Sequence, residues 1–460
     1  MIFYNIYFFK IIMGISNDND MANYLLNIKL SNLKNKGQYL KENVESVKKA
    51  LFDLDGEKYY DKYCSLSCIY GAFLGDSIGS GCEFSAESKE NHKLIFTDGH
   101  LFKPGEITDD SELALSASFG YIDSIDNNAS KISDYLYFYF LIWRYSGPKD
   151  IGRATSNALS EYGGEDISEI KFNPQEVMRV NWDSLANGSL MRISTFIVYF
   201  YYSNLHRIKS TINDFFKENK FDELNDAICK LYNNIFNESY KNIQITHPNY
   251  ENGISCSVFT LMTLVGMITK DAKKMILIFE MISKSKKFID SHSEALKEYA
   301  ILAQNNYKDI IKEIKSNTQF SVYKKMGYYI HGFKLSVLYL YKYPDMGENK
   351  QPDLYYEIMC DVCDRGGDTD TNCAIVGTMI GPLIGYKNFK KNLFDKFILF
   401  IPQKRCQFNS AFIYLFVNNL EKAFLNIDNN TIGHKESKHK FKYTAFEMIS
   451  SFLNKKMIIT

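Results

Sequence analysis

Cys373-Ala-Ile-Val-Gly377-Thr-Met-Ile-Gly381-Pro-Leu-Ile-Gly385-Tyr386 is almost wholly apolar, and its three glycines fall four residues apart. A second segment, Gly71-Ala-Phe-Leu-Gly75-Asp-Ser-Ile-Gly79, repeats that spacing. Four residues is close to one helical turn, so each trio lines one helix face. Glycine inside a helix is about 1 kcal/mol worse than alanine, and close approach of two helix backbones is the ordinary packing reason that offsets this. Outward from these segments, apolar residues recur at helical spacing over Glu112 to Tyr121, Ile254 to Thr269 and Tyr328 to Tyr341. Only 8 of 460 residues are proline, well under the usual figure of about 5%, so helix breakers are scarce. The pattern predicts a mostly α protein of many helices. No period of about 20 to 50 residues repeats, which argues against a solenoid.

Composition narrows the function classes. The 54 Lys and Arg balance 54 Asp and Glu, only seven are Arg, and none precedes Arg144. That is a poor footing for a phosphate-backbone groove, so no nucleic-acid partner is expected. Nine cysteines without dense spacing read as reduced thiols in a cytoplasmic protein. Cys360-Asp-Val-Cys363 has no second pair beside it and reads as two packed thiols. The apolar stretch Met1 to Met13 lacks a basic lead and a small-residue cleavage site, so an N-terminal extension is expected rather than a signal peptide. Tyr135 to Trp143 and Cys373 to Tyr386 are too short to span a bilayer, and no membrane association is expected. Residues 124–131, 206–222 and 303–317 read as polar connections. With no linker rich in Pro, Gly or Ser, the expected organisation is a partly helical N-terminal extension over 1–60, one domain over 61–427 and a basic tail over 428–460.

Two acidic clusters carry the chemistry. In Gly105-Glu-Ile-Thr108-Asp109-Asp110-Ser111, Thr108 suits a helix N-cap and the aspartates suit the first turn. The same residues project hard oxygen ligands from a small patch, as Mg²⁺ or Mn²⁺ requires. In Asp364-Arg-Gly366-Gly367-Asp368-Thr-Asp370-Thr371-Asn372, Asp368 and Asp370 repel each other unless a cation lies between them, and the paired glycines let backbone come near a ligand. An all-α prenyl or terpene synthase would need aspartates at i and i+4, which the Asp109-Asp110 cluster lacks.

Together Gly105-Glu-Ile-Thr-Asp-Asp-Ser111 and Gly366-Gly-Asp-Thr-Asp-Thr-Asn372 resemble the two metal signatures of the ADP-ribosylglycohydrolase family. Four further blocks resemble it in order: Gly71 to Phe84 with its closing Glu83-Phe84 pair, Trp143 to Gly152, Asp183 to Arg192, and Thr246-His-Pro-Asn249. The resemblance covers roughly residues 62 to 405. It implies an all-α bundle around a central two-metal site, holding two Mg²⁺ with Mn²⁺ as a substitute. Thr108, Asp109, Asp110, Asp368, Asp370 and Thr371 take the ligand role. It also implies diphosphate binding by Ser184, Asn187, Gly188, Ser189 and His247, with Gly152 in a ligand loop. Ala186 stands where the family usually has Gly. For Arg192, a ligand contact and a tie between helices both stay open.

The activity so implied is Mg²⁺-dependent removal of ADP-ribose from a modified side chain, by hydrolysis at the distal ribose anomeric carbon. Asp109, Asp110 and Glu83 are the candidate catalytic carboxylates. The substrate is an ADP-ribosylated protein or another ADP-ribose conjugate, acted on by a monomer. A catalytically inactive ADP-ribose-binding or structural member of the same fold is the alternative.

Overall fold

The computed structural model describes residues 36–54, 58–87, 101–126, 131–160, 171–218, 224–347, 353–402 and 408–425. The stretch Met1 to Met13, the boundary after residue 427 and the tail over 428–460 lie outside the described residues. Eighteen α-helices are found among the described residues, and the chain is all-α. In order they are α1 Lys36–Asp53, α2 Tyr60–Gly79, α3 Asp109–Asp126, α4 Ile132–Tyr145, α5 Arg153–Ser160 and α6 Pro174–Asn181. Then follow α7 Ser194–Ser203, α8 Leu205–Lys217, α9 Asp226–Ile243, α10 Tyr250–Thr269, α11 Ala272–Lys284 and α12 Lys286–Asp290. The last six are α13 Glu294–Ser316, α14 Tyr329–Lys342, α15 Leu354–Asp364, α16 Thr369–Ile384, α17 Lys391–Ile398 and α18 Phe412–Leu425. The sole extended pairing among the described residues is one antiparallel bridge between Ala186 and Tyr328.

The two glycine stripes meet each other. A methyl group on Gly71 would overlap the Gly377 carbonyl, one on Gly75 the Cys373 carbonyl, and one on Gly79 the Thr369 carbonyl. The partner numbers fall as the α2 numbers rise, so α2 and α16 run antiparallel with their backbones in contact. The C-terminal end of α2, followed by Glu83, is thereby laid beside the N-terminal end of α16, which carries Asp370. Gly385, at φ 82°, ends α16.

Around this pair the core is built from buried Leu, Ile, Phe and Tyr side chains of most other helices. α10 is long and apolar enough to cross a membrane by length and composition, with a mean hydropathy of 1.5, yet 89% of that window is buried inside the fold. Two polar segments expected as connections are helices instead. Residues 206–217 belong to α8 and 303–316 to α13. Each has a narrow apolar stripe, Ile208, Ile212 and Phe215 in one and Ala303, Tyr307, Ile310 and Ile314 in the other, that is sunk into the core, with Gln304 buried beside the second. The remaining faces are solvated, which is why their composition imitates a loop. α1, within the expected extension, buries Val44, Val47 and Leu51 and receives the Tyr386 hydroxyl on the Leu51 carbonyl at 2.6 Å.

Candidate metal centre and ligand cleft

The cleft has a volume of about 520 Å³ and opens between the start of α3, the start of α16, the turn after α2, and the loops before α5 and α7. Its acidic end is made by helix N-termini. Asp109 and Asp110 occupy the first turn of α3, and Asp370 the first turn of α16 with Asp368 just ahead. Positive helix ends favour carboxylates there. Thr108 and Asp368 sit at cap positions but turn their side chains toward the site. The Thr108 hydroxyl donates to Asp110 Oδ2 at 3.2 Å, and Asp368 makes no capping bond to its own helix. The Thr371 hydroxyl also donates to Asp110 Oδ2, at 3.2 Å.

Two groups of carboxylates draw their oxygens within 4.8 Å of one another: Asp76, Asp110 and Asp370, all buried, and Glu83, Asp368 and Asp370. Asp110 Oδ1 is buried without a hydrogen-bond partner. Burial, then the charges of Asp76, Asp109 and Asp368, push the Asp110 carboxyl far up. Burial also lifts Asp109, with Asp150, Asp76, Glu112 and Asp368 adding repulsion, and lifts Asp370, with Asp110, Asp368 and Glu83 adding to it. Glu83 is pushed up to about 8 by burial first and then by Asp368, Asp150 and Asp76. So many acids held against one another form an all-oxygen donor set lacking its countercharge, which suits a hard divalent cation.

The other end of the cleft is polar, and its charged lining residue is Arg153 beside Gly152. Ser184, Asn187, Gly188 and His247 line it, with Gly152 and Thr155 on the facing wall. His247 is buried, its Nδ1 is 2.7 Å from the Thr246 hydroxyl, and burial with the nearby Arg192 charge drives its pKa down to about 3. It is therefore a neutral imidazole. Its ring lies so close over Gly188 that a Cβ there would sit 2.6 Å from Cε1. Arg192 is fully buried below the loop. It donates to the Gly188 carbonyl and, at 3.1 and 3.2 Å, to the side-chain and main-chain oxygens of Asn242, and it faces the Phe140 ring. Of the two open roles, the geometry is that of a tie between the loop and α9.

The structure thus brings Glu83, Asp109, Asp110, Gly152, Ser184, Asn187, Gly188, His247, Asp368, Asp370 and Thr371 to one cleft. Thr108 lies directly behind it, buried against Asp110. Ser189 does not reach the cleft, because the short 3₁₀ turn Asn187–Ser189 rotates its hydroxyl toward Cys256 Sγ at 3.6 Å. Asn187 joins the two ends, donating from Nδ2 to Asp368 Oδ2 at 2.7 Å. Gly366 and Gly367, at φ 68° and 79°, make room for Ser85 and Ala86 on one side and Val322 and Tyr323 on the other. Their immediate neighbours are thus two chain segments, where a ligand had been expected.

Several residues of the site escaped the sequence reading, among them Arg153, Thr155 and Asn157 of α5. Asp76 accepts backbone N–H groups at the start of α3 and is lifted to about 6 by burial. Its place between Gly75 and Gly79 was the available signal. Asp150, two residues before Gly152, lines the cleft and repels Asp109 and Glu83. Met326 borders the mouth from a loop that carried no motif.

Comparison with known proteins identifies the family. The model of the family described as ADP-ribosylglycohydrolase matches residues 56–397. A protein of Acanthamoeba polyphaga mimivirus named as an ADP-ribosyl glycohydrolase is 26% identical over 335 residues, covering 69% of this chain and 86% of the viral one. An ADP-ribosyl-[dinitrogen reductase] glycohydrolase of Rhodospirillum rubrum is 25% identical over 150 residues, 30% of this chain and 45% of that protein. A solved chain of an ADP-ribosylglycohydrolase-related protein complex, 14% identical with a TM-score of 0.49, covers 79% of this chain and 98% of its own. With the family match running across most of its length, and both acidic segments inside it, the chain belongs to the ADP-ribosylglycohydrolase family of hydrolases.

Proposed function

We propose that the protein is a Mg²⁺-dependent hydrolase that removes ADP-ribose from modified protein side chains by cleaving the glycosidic bond at the distal ribose anomeric carbon. The observation that carries this reading is the joining, in one cleft, of a carboxylate-rich end to a neutral loop of small residues. The buried, unpartnered Asp110 Oδ1 and the mutual repulsion of Asp109, Asp110 and Asp370 fit two divalent cations. Thr108, Asp109, Asp110, Asp368, Asp370 and Thr371 would hold them, with Mn²⁺ able to replace Mg²⁺. When bound, such ions supply Lewis acidity and lower the pKa of a coordinated water.

The chain's own groups divide the remaining work. The Asn187 N–H is taken by the Gly327 carbonyl at 2.8 Å, so the Gly188 N–H is the loop donor offered to a diphosphate, and the neutral His247 imidazole offers one more without a charge of its own. The placement of Asn187 on Asp368 ties the grip on the diphosphate to the position of a carboxylate at the reacting end. Glu83, half-buried and close to Asp368 and Asp370, is a proton acceptor beside the scissile bond, with Asp109 and Asp110 as the other candidates. An oxocarbenium-like transition state is favoured by the same negative surroundings. The substrate is an ADP-ribosylated protein or another ADP-ribose conjugate. The catalytic unit spans 61–427 and works as a cytoplasmic monomer, independent of nucleic acid and membrane.

The alternative, an inactive ADP-ribose-binding member, is disfavoured by the complete set of oxygen ligands in the two acidic segments. The test is release of free ADP-ribose from arginine-linked, serine-linked and polymeric substrates in Mg²⁺ and in EDTA. Release in Mg²⁺ alone supports the proposal. Full activity after exhaustive chelation sinks the metal reading, and binding of ADP-ribose without release from any substrate favours the alternative.

A further inference from the structure

Asp76 is a fully buried carboxylate of α2, directly after Gly75 in the sequence, and its hydrogen bonds go to another helix. Oδ2 accepts the Thr108 N–H at 3.0 Å and the Ser111 N–H at 3.3 Å, and Oδ1 lies 3.3 Å from the same Thr108 nitrogen. With Thr108 at the N-cap of α3, Ser111 is the third helical residue, whose N–H the cap side chain ordinarily satisfies. Here the Thr108 hydroxyl has only a long, 3.4 Å contact from the Asp110 N–H and is otherwise turned onto Asp110 Oδ2. An acceptor from a neighbouring helix has taken over the capping duty. That acceptor is held in place by backbone contact of α2 with α16, since Gly75 and Gly79, which flank it in the sequence, touch Cys373 and Thr369.

We propose that Asp76 is a positioning residue: by capping α3 from α2 it frees the Thr108 hydroxyl and aims Asp109 and Asp110 into the cleft. The assignment rests on the metal-dependent reading given above. It differs from a ligand role for Asp76: an Asp76 oxygen lies within 4.8 Å of Asp110 and Asp370 oxygens, but its hydrogen bonds go to the α3 amides and the residue does not line the cleft.

The decisive experiment uses the full chain, with Mn²⁺ followed by electron paramagnetic resonance and release of ADP-ribose measured on the same samples. Asp76→Asn keeps size and one acceptor but sets an NH₂ group against a backbone N–H. The expected result is unchanged Mn²⁺ stoichiometry, Mn²⁺ affinity and turnover each reduced by about 10- to 100-fold, as for groups that orient metal ligands, and a KM for substrate within about twofold. Unchanged affinity and turnover, with only the melting temperature lowered, would reduce Asp76 to a structural cap and overturn the assignment. Loss of one Mn²⁺ would overturn it by making Asp76 a ligand. Absence of Mn²⁺ binding by the wild type would overturn the underlying metal reading and this assignment with it. If Asp76→Asn does not fold, hydrogen exchange on the metal-free wild type decides. Protected Thr108 and Ser111 amides support the cap, and exchange at open-loop rates removes it.

Discussion

Burial acts at both ends of the cleft and moves their ionisable groups in opposite directions. At the acidic end burial and mutual repulsion raise Glu83, Asp109, Asp110 and Asp370, while at the loop end burial lowers His247 to about 3. In both cases the uncharged form is favoured. What differs is how the remaining polarity is met. The loop end satisfies its own groups, with Thr246 on His247 and Arg192 on the Gly188 carbonyl, whereas the acidic end leaves Asp110 Oδ1 bare. One end is complete as folded and the other is built around something still to be added. Changes at the acidic end should therefore strike turnover, and changes at the loop end affinity.

The largest effect is expected from removing a carboxylate that the cations need. Asp110→Ala or Asp370→Ala should lower turnover by about 10³-fold or more, the scale of losing several kcal/mol of charge stabilisation, and EDTA should do the same to the wild type. Circular dichroism should remain that of a helical fold. If two such variants retained near wild-type rates, the acidic end would not be the reacting end. Glu83→Gln comes next, with kcat down by about 10²-fold, the range for a lost general base, and ADP-ribose affinity little changed. An unchanged single-turnover rate would return Glu83 to a structural part.

At the loop end the response should be of another kind. Gly188→Ala inserts a methyl group against the His247 ring, which must then shift. A misfit of about 1 to 2 kcal/mol corresponds to a KM raised by roughly tenfold, with kcat nearly kept. Should kcat fall instead and KM hold, the division of labour between the two ends would be wrong.

What the sequence revealed of this arrangement follows from how local each signal is. The glycine stripes and the two acidic runs were legible because four-residue spacing and adjacent carboxylates have meaning within one segment. Asp76 was not, since a single acid in an apolar helix acquires its role only from the α3 amides that face it, 32 and 35 residues further on. The Asn187 bond to Asp368 spans 181 residues and leaves no trace in either segment. Ser189 was misplaced for the opposite reason: a donor-rich loop was legible as composition, but the 3₁₀ turn that points one of its hydroxyls away was not. Residues 206–217 of α8 and 303–316 of α13 read as connections because their polar positions outnumber the few buried ones.

The smallest effect, and the one that tests the comparison itself, is the pH dependence of stability without metal. Glu83 is raised from 4.5 to about 8, so the folded state binds its proton more tightly than the unfolded chain does. That contribution to stability is fully present below pH 4.5 and is lost as the pH rises through about 8. Asp109, Asp110 and Asp370, also raised, act in the same sense. His247, lowered from 6.5 to about 3, contributes with the opposite sign, present above pH 6.5 and lost as the pH falls through about 3. In EDTA the melting temperature should therefore fall by a few degrees between pH 5 and pH 8. Glu83→Gln should flatten part of that fall, and His247→Gln should leave it in place between pH 7 and pH 8. Added Mg²⁺ should restore most of the loss at pH 8, because the cations then supply the countercharge that burial withholds. A melting temperature that climbs from pH 5 to pH 8 in EDTA would mean that the acids at this end are already neutralised from within the chain, and the contrast between the two ends would disappear.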